Sequence, residues 1–276
     1  MSGTLYVVGT PIGNLNDLSP RAIQILQSVD FIAAEDTRVT RKLCSRFDIH
    51  TPLVSYHEHN RLQAGERIID RLAAGESVAL VTDAGMPAIS DPGEDLVALC
   101  RERGMPVAAV PGPSAVVTAL AVSGLSCGRF TFEGFLSMNR KSRREHLEEI
   151  RQEKRTMVFY EAPHKLRSTL QDMLDALGDR RISLVRELTK IHEEARLTTL
   201  SQAVEYYAET PPKGEFVLVI EGAKETSNSE DAPSLEQAVA LARALMAQGQ
   251  SASTAAKEAA NRTGHKKGDI YKLLCE

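Results

Sequence analysis

Three short segments carry the residue types that let a ligand approach the backbone: GTPIGN at 9–14, DAGMPAISDPG at 83–93 and PGPSA at 111–115. Gly9, Gly13, Gly85 and Gly112 remove the steric barrier of a Cβ, while Pro11, Pro87, Pro111 and Pro113 stiffen the turns. Gly and Pro are common in turns of no function, but three such turns at parallel positions are harder to dismiss. GTPIGN lacks the G-x-G-x-x-G spacing of a dinucleotide fingerprint, and no G-K-[ST] follows it. Asp83 in the second turn disfavours a phosphate. A neutral-to-cationic adenosine-like ligand fits better, and S-adenosylmethionine, with its sulfonium and zwitterionic amino acid, is one.

A second set of residues offers charge. TRVTRKLCSR carries Arg38, Arg41, Lys42 and Arg46, NRKSRRE carries Arg140, Lys141, Arg143 and Arg144, and the tail carries Arg262, Lys266, Lys267 and Lys272. Such runs are usually solvated helix faces; as phosphate contacts they would make binding strongly salt-dependent. The net charge of −4 means a nucleic-acid partner must be met by local patches rather than by a global field. Glu133 and His57 stand alone and read as structural.

The elements that position these residues alternate. TLYVV, DFIAAED, PLVSYH, SVALVTD and PVAAV read as strands. Helical patterns lie between them, the first opened by Ser19 as N-cap and Pro20 at the first helical position. This alternation predicts an α/β domain over 1–125 with a largely parallel sheet, and in such sheets the turns at carboxyl strand ends line the ligand crevice. A second α/β domain is expected over 126–223, from FTFEGF to GEFVLVIEG. Residues 224–233 have the polar composition of a linker. Three helical patterns over 234–276 suggest a small helix-turn-helix-like module, or equally a helical cap.

Composition narrows the function classes. The apolar fraction of 42% and charged fraction of 25% are those of a globular chain, and 276 residues suit about two domains. The four cysteines have no C-x-x-C spacing, so neither a disulfide framework nor a metal site is expected. The longest apolar stretch, SAVVTALAVSGL, falls short of the roughly 20 residues a bilayer span needs. No secretory leader is recognisable, and a cytoplasmic protein is expected.

Taken in order, VVGTPIGNLNDLSPRA, AAEDTR, LVTDAGMPAISDPG, VPGPSA, FEGFL, FYEAPHKL, RELTKIHEE and GEFVLVIEG resemble the ribosomal RNA small-subunit methyltransferase I family of the tetrapyrrole-methylase superfamily. The likeness spans about the first 223 residues, and the C-terminal helical module also resembles one found in that family. The resemblance implies two α/β domains clasping S-adenosylmethionine between them, a homodimer, and 2′-O-methylation of a cytidine in the decoding region of small-subunit ribosomal RNA. It also implies a cofactor site formed by Pro11 and its neighbours including Gly13, by Asp83, Ala84, Gly85 and Ile89, by Ser114 and Ala115, by Tyr160 and Ala162, and near Gly214. The first turn departs from the G-x-G-P-G-D type of the tetrapyrrole branch, which speaks against a corrinoid substrate. A small-molecule tetrapyrrole methylase is the alternative. A non-catalytic nucleic-acid regulator is a third reading, which leaves the three Gly/Pro turns unexplained.

Methyl transfer to a ribose hydroxyl requires alignment of the oxygen and removal of its proton. Lys190 with Glu187 is the expected proton-handling pair, and Glu161 is a further catalytic candidate. Arg186, Glu187 and Lys190 could equally form a structural ion-pair cluster. The RNA would meet Arg38, Arg41, Lys42, Arg140, Lys141, Arg143, Arg144, Lys266 and Lys267.

Overall fold

The computed structural model describes residues 2–224, 234–263 and 265–275. Residues 1–223 form one compact unit and 224–276 another. All but the first residue of the expected linker, 224–233, lies outside the described residues.

The first sheet contains β1 (Leu5–Val8), β2 (Phe31–Ala34), β3 (Leu53–Ser55), β4 (Val78–Val81) and β5 (Val107–Val110), in the order β3-β2-β4-β1-β5. Every pairing is parallel. Helices α1 (Pro20–Ser28), α2 (Thr37–Arg46), α3 (Arg61–Ala73), α4 (Glu94–Glu102) and α5 (Ala115–Val122) connect or follow the strands. The period-2 pleat explains why short runs such as FIAA and VALV are apolar throughout. Phe31, Ala33, Val78 and Leu80 pack with Ile68, Ile69, Leu72 and Leu96 of α3 and α4, whereas Ile32, Ala34, Ala79 and Val81 pack with Ala22, Leu26 and Leu43 of α1 and α2. At the start of α1, Ser19 accepts from the Ala22 amide and Pro20 stands in the first turn.

The second sheet is mixed. It holds β6 (Phe130–Phe135), β7 (Thr156–Glu161), β8 (Arg181–Arg186), β9 (Glu194–Thr199) and β10 (Phe216–Ile220), in the order β6-β7-β10-β8-β9, with β6 and β7 parallel and the rest antiparallel. One face packs on α6 (Arg140–Glu149), α7 (Leu166–Leu177) and α8 (Leu200–Glu209) through Leu147, Leu166, Leu170, Met173 and Tyr207. The other face presents Val158, Val185, Val217 and Val219 to Val116, Ala119 and Leu120 of α5. Helix α5 therefore joins the two sheets into one unit.

The second unit consists of α9 (Leu235–Ala247), α10 (Ala252–Thr263) and α11 (Lys267–Cys275). Ser234 and Gln237 close a reciprocal capping box on α9, and Ala238, Ala242, Ala255, Ala256, Ala259 and Ile270 make a close-packed core of small residues. Among the described residues no helix is long and apolar enough to cross a membrane.

Candidate active site

The strand order turns back at β1, which has β4 on one side and β5 on the other, and the loops leaving these three carboxyl ends meet. Thr10 and Gly85 exchange backbone hydrogen bonds of 2.9 and 3.1 Å, locking the first turn to the second. The first and third turns touch through glycines. A Cβ on Gly9 would lie 2.7 Å from the Gly112 Cα, and one on Gly112 2.8 Å from the Gly9 Cα, so neither position admits a side chain without backbone displacement.

A cavity of about 280 Å³ opens where these turns face the ends of β7, β8 and β10. Ala84, Gly85, Ile89, Ser114 and Ala115 line it from the first sheet, and Tyr160, Ala162, Glu161, Glu187 and Lys190 from the second. The remaining expected residues stand behind this wall. Pro11 is buried, Asp83 is exposed and makes no part of the lining, and Gly13 and Gly214 buttress the turn that carries Glu187 and Lys190. A Cβ on Gly13 would lie 2.7 Å from Lys190 Cγ and 2.8 Å from the Leu188 carbonyl oxygen; one on Gly214, where φ is +80°, would collide with the Glu187 carboxylate. These two glycines position the pair rather than line the cavity.

The turn after β8 is strained. Glu187 and Thr189 adopt φ of +51° and +64°, a region costly for residues with a Cβ. The strain brings Lys190 Nζ to 2.9 Å from Glu187 Oε1, which also accepts from the Glu215 amide at 3.4 Å. Lys190 holds the Glu187 carboxyl below the ordinary carboxylate range, chiefly through that hydrogen bond. Glu215 Oε2 lies 3.9 Å from the same ammonium. Glu161 is different: its Oε1 accepts from the Ala162 amide at 2.8 Å and its Oε2 from the Thr169 hydroxyl at 2.5 Å, so this buried carboxylate braces the end of β7 against α7.

Across the cavity lies a group of carboxylates. Glu35, at the end of β2, accepts from Thr82 Oγ1 at 2.6 Å and from the Asp83 amide at 3.3 Å. Partial loss of hydration, which reaches Asp83 although it is exposed, and the Glu35 charge raise both Asp83 and Asp91 above the ordinary value. Asp91 lines the cavity, and sequence reading missed it although it sits in the same turn as Asp83. Ser114 starts α5 with a hydroxyl that makes no capping bond, and the Val116 amide in the first turn faces the Tyr160 hydroxyl instead. Phe135 and Glu215 were also missed; the glycine inside FTFEGF was the available signal of a bulge that re-aims a side chain.

The basic residues divide. Arg41, Lys42, Arg140, Lys141, Arg144, Lys266 and Lys267 are exposed, although Arg140 and Arg144 also reach Asp172 Oδ1 at 3.8 and 3.4 Å and Lys141 pairs with Glu145 at 3.8 Å. Arg38, also exposed, is engaged by Asp36 at 2.6 Å. Arg143 departs from the expectation of an RNA-facing residue. It is buried, its Nε and Nη2 lie 2.8 and 2.7 Å from Asp172 Oδ2, and it ties α6 to α7. The helical period turns position 143 inward with Leu147, while 140, 141 and 144 face out. Glu133, read as structural, pairs with His146 at 3.0 Å.

Comparison with known proteins agrees with the fold. The family described as tetrapyrrole (corrin/porphyrin) methylases matches residues 4–204. The chain is 48% identical over 277 residues to the ribosomal RNA small subunit methyltransferase I of Synechocystis sp., covering 99% of this chain and 98% of that protein. It is 50% identical over 273 residues to the protein of the same name from Halalkalibacterium halodurans, covering 98% and 94%. Among solved structures, uroporphyrin-III-C-methyltransferase from Thermus thermophilus superposes with a TM-score of 0.56 at 20% identity, covering 79% of this chain and 94% of that one, a likeness of fold alone.

Proposed function

The chain belongs to the ribosomal RNA small subunit methyltransferase I family, within the tetrapyrrole methylases, and from that premise we propose that it transfers a methyl group from S-adenosylmethionine to the 2′-hydroxyl of a cytidine in small-subunit ribosomal RNA. The observation that carries this reading is one cavity with a carboxylate group on one wall and a Lys–Glu pair on the other.

The donor chemistry of the wall suits this cofactor. Asp91, backed by Glu35 and Asp83, offers negative potential to a cationic ligand and would repel a polyphosphate. The Ser114 hydroxyl, which makes no capping bond at the start of α5, offers a donor to a carboxylate. Ile12, Ile89 and Val217 give apolar surface for an adenosine. When bound, the cofactor supplies a sulfonium-activated methyl group.

Glu187 and Lys190 then have distinct tasks. Both hydrogen bonds to Glu187 fall on Oε1, from Lys190 and from the Glu215 amide, which leaves Oε2 without a protein donor among the described residues. That oxygen receives the proton of the ribose hydroxyl as the O–CH3 bond forms and the S–CH3 bond breaks. Lys190 fixes the carboxylate and keeps it ionised. Glu161, with both oxygens engaged, supports the cavity wall.

RNA reaches the cavity past Arg140, Lys141 and Arg144, with Arg38, Arg41, Lys42, Lys266 and Lys267 as further phosphate contacts. The cytoplasm, where ribosomal subunits are made, is the corresponding location. Helix α5 is apolar on nearly all sides, with Val117 55% and Val122 45% exposed, and Leu197 on the edge strand β9 is 44% exposed beside Gly124. This surface supports a homodimer.

A tetrapyrrole acceptor is the other reading, supported by the match to the tetrapyrrole methylases and by likeness of fold. Competition separates the two: with labelled cofactor and equal amounts of unmodified small ribosomal subunits and a uroporphyrinogen, the label is expected in the subunit RNA. Label in the tetrapyrrole would overturn the proposal.

A further inference from the structure

Phe135 is a large apolar ring left 55% exposed in the lining of the cavity. Its orientation is set by a fault in strand pairing. Along the parallel β6–β7 ladder Phe132 faces Val158, but the register then slips, so that Gly134 faces Phe159 and Phe135 faces Tyr160. Glu133 is the extra residue of this bulge, and Gly134 takes φ of +65°. In a regular strand, residues three apart point to opposite faces. The bulge cancels that alternation and brings Phe135 to the face of Phe132, Val158 and Tyr160, toward the cavity. The ring is then held at 5.4 Å from the Tyr160 ring, which also packs edge-on with Phe132 at 5.0 Å. Ile89, 58% exposed in the same lining, contributes a second apolar side chain.

Resting on the methyltransferase reading above, we infer that Phe135, aimed into the cavity by the Glu133–Gly134 bulge, is the stacking platform for the base of the nucleotide that receives the methyl group. Two features favour a nucleobase. A ribose hydroxyl can reach the Glu187–Lys190 pair only if its nucleotide leaves the helical stack, and proteins that hold splayed nucleotides stack the base on an aromatic face. The chain that leaves Phe135 also runs within nine residues through Arg140, Lys141 and Arg144, all exposed, which suit the flanking phosphates. The platform and the backbone contacts thus belong to one continuous segment.

The test compares Phe135→Ala, Phe135→Leu, Phe135→Tyr and Phe135→Trp as full-length protein, with unmodified small ribosomal subunits as acceptor. The Ala and Leu variants are expected to raise KM for subunits about tenfold or more, with the dissociation constant for S-adenosylmethionine unchanged by calorimetry. The Tyr and Trp variants are expected to retain near wild-type KM. A fall in cofactor affinity in Phe135→Ala would place the ring against the adenosine and overturn the platform. So would a Leu variant as good as Tyr, because the ring would then serve only as bulk. No transfer by the wild-type protein would overturn the underlying activity, and the platform with it, a failure distinguishable because it precedes any substitution.

Discussion

Lys190 Nζ donates to Glu187 Oε1 at 2.9 Å from a turn in which Glu187 itself holds φ of +51°. A salt bridge three residues apart is ordinary on a helix, but here it closes a left-handed turn that two glycines from distant segments wrap. Backbone strain of this kind persists where the surroundings over-determine it, and here they do so at a cavity wall.

If Glu187 accepts the ribose proton, Glu187→Gln lowers kcat by about 10²–10⁴-fold and leaves cofactor affinity intact. Single-turnover methylation with saturating cofactor measures the first, calorimetry the second. Loss of cofactor binding would assign Glu187 to the ligand instead.

The pH dependence follows from the direction of the Glu187 shift. Lys190 lowers its folded value, so the pair adds stability above the ordinary carboxylate value, and this is lost as pH falls through the lowered one. The acid limb of the rate profile is therefore expected below pH 4.5, the ordinary value. Lys190→Met removes the cation and moves that limb to higher pH; an unmoved limb would show that another group controls it.

Asp91 is shifted the opposite way, by burial and by Glu35. A carboxyl raised on folding costs stability when ionised, above its folded value, so Asp91→Asn is expected to raise the melting temperature at pH 7. The same change removes charge facing a cationic ligand and should weaken cofactor binding. Tighter binding in the variant would contradict the electrostatic role.

Gly13→Ala tests the buttress. Its Cβ would press on Lys190 Cγ and on the Leu188 carbonyl, and overpacking of this kind costs about 1–3 kcal/mol. A lower kcat with a nearly unchanged cofactor dissociation constant is expected, and Gly128→Ala, with open space around it, should change neither.

On the surface, Arg140, Lys141 and Arg144 replaced together by Ala should flatten the log–log salt dependence of RNA binding, by roughly 0.7–0.9 for each phosphate no longer neutralised. Arg143 is excluded because it is buried on Asp172, whereas Arg140 and Arg144 touch that carboxylate from the exposed side. Asp172→Ala, which leaves its buried guanidinium unpaired, should destabilise the fold by about 3–5 kcal/mol.

The first sheet was legible because its strands are short and largely apolar, because β1, β4 and β5 are each closed by a Gly/Pro turn, and because Ser19-Pro20 marks a helix start with a mechanism. The cavity wall was legible wherever chemistry and backbone freedom coincide, as at Gly85 or Glu187. What escaped depends on the third dimension. Arg143 looks like its neighbours in a basic run, and only the helical period and a partner 29 residues away turn it inward. Phe135 lies in a strand-like run, and only the register slip aims it at the cavity; Asp83 and Asp91 share one turn while only Asp91 reaches the cavity.

The most direct test of the central claim is the chemical position of the transferred methyl group. Unmodified small ribosomal subunits are incubated with the protein and labelled S-adenosylmethionine, and the RNA is digested to nucleosides. The expected result is a single labelled product, 2′-O-methylcytidine, absent with Glu187→Gln. Label on a base, or none in the RNA at all, would contradict the account.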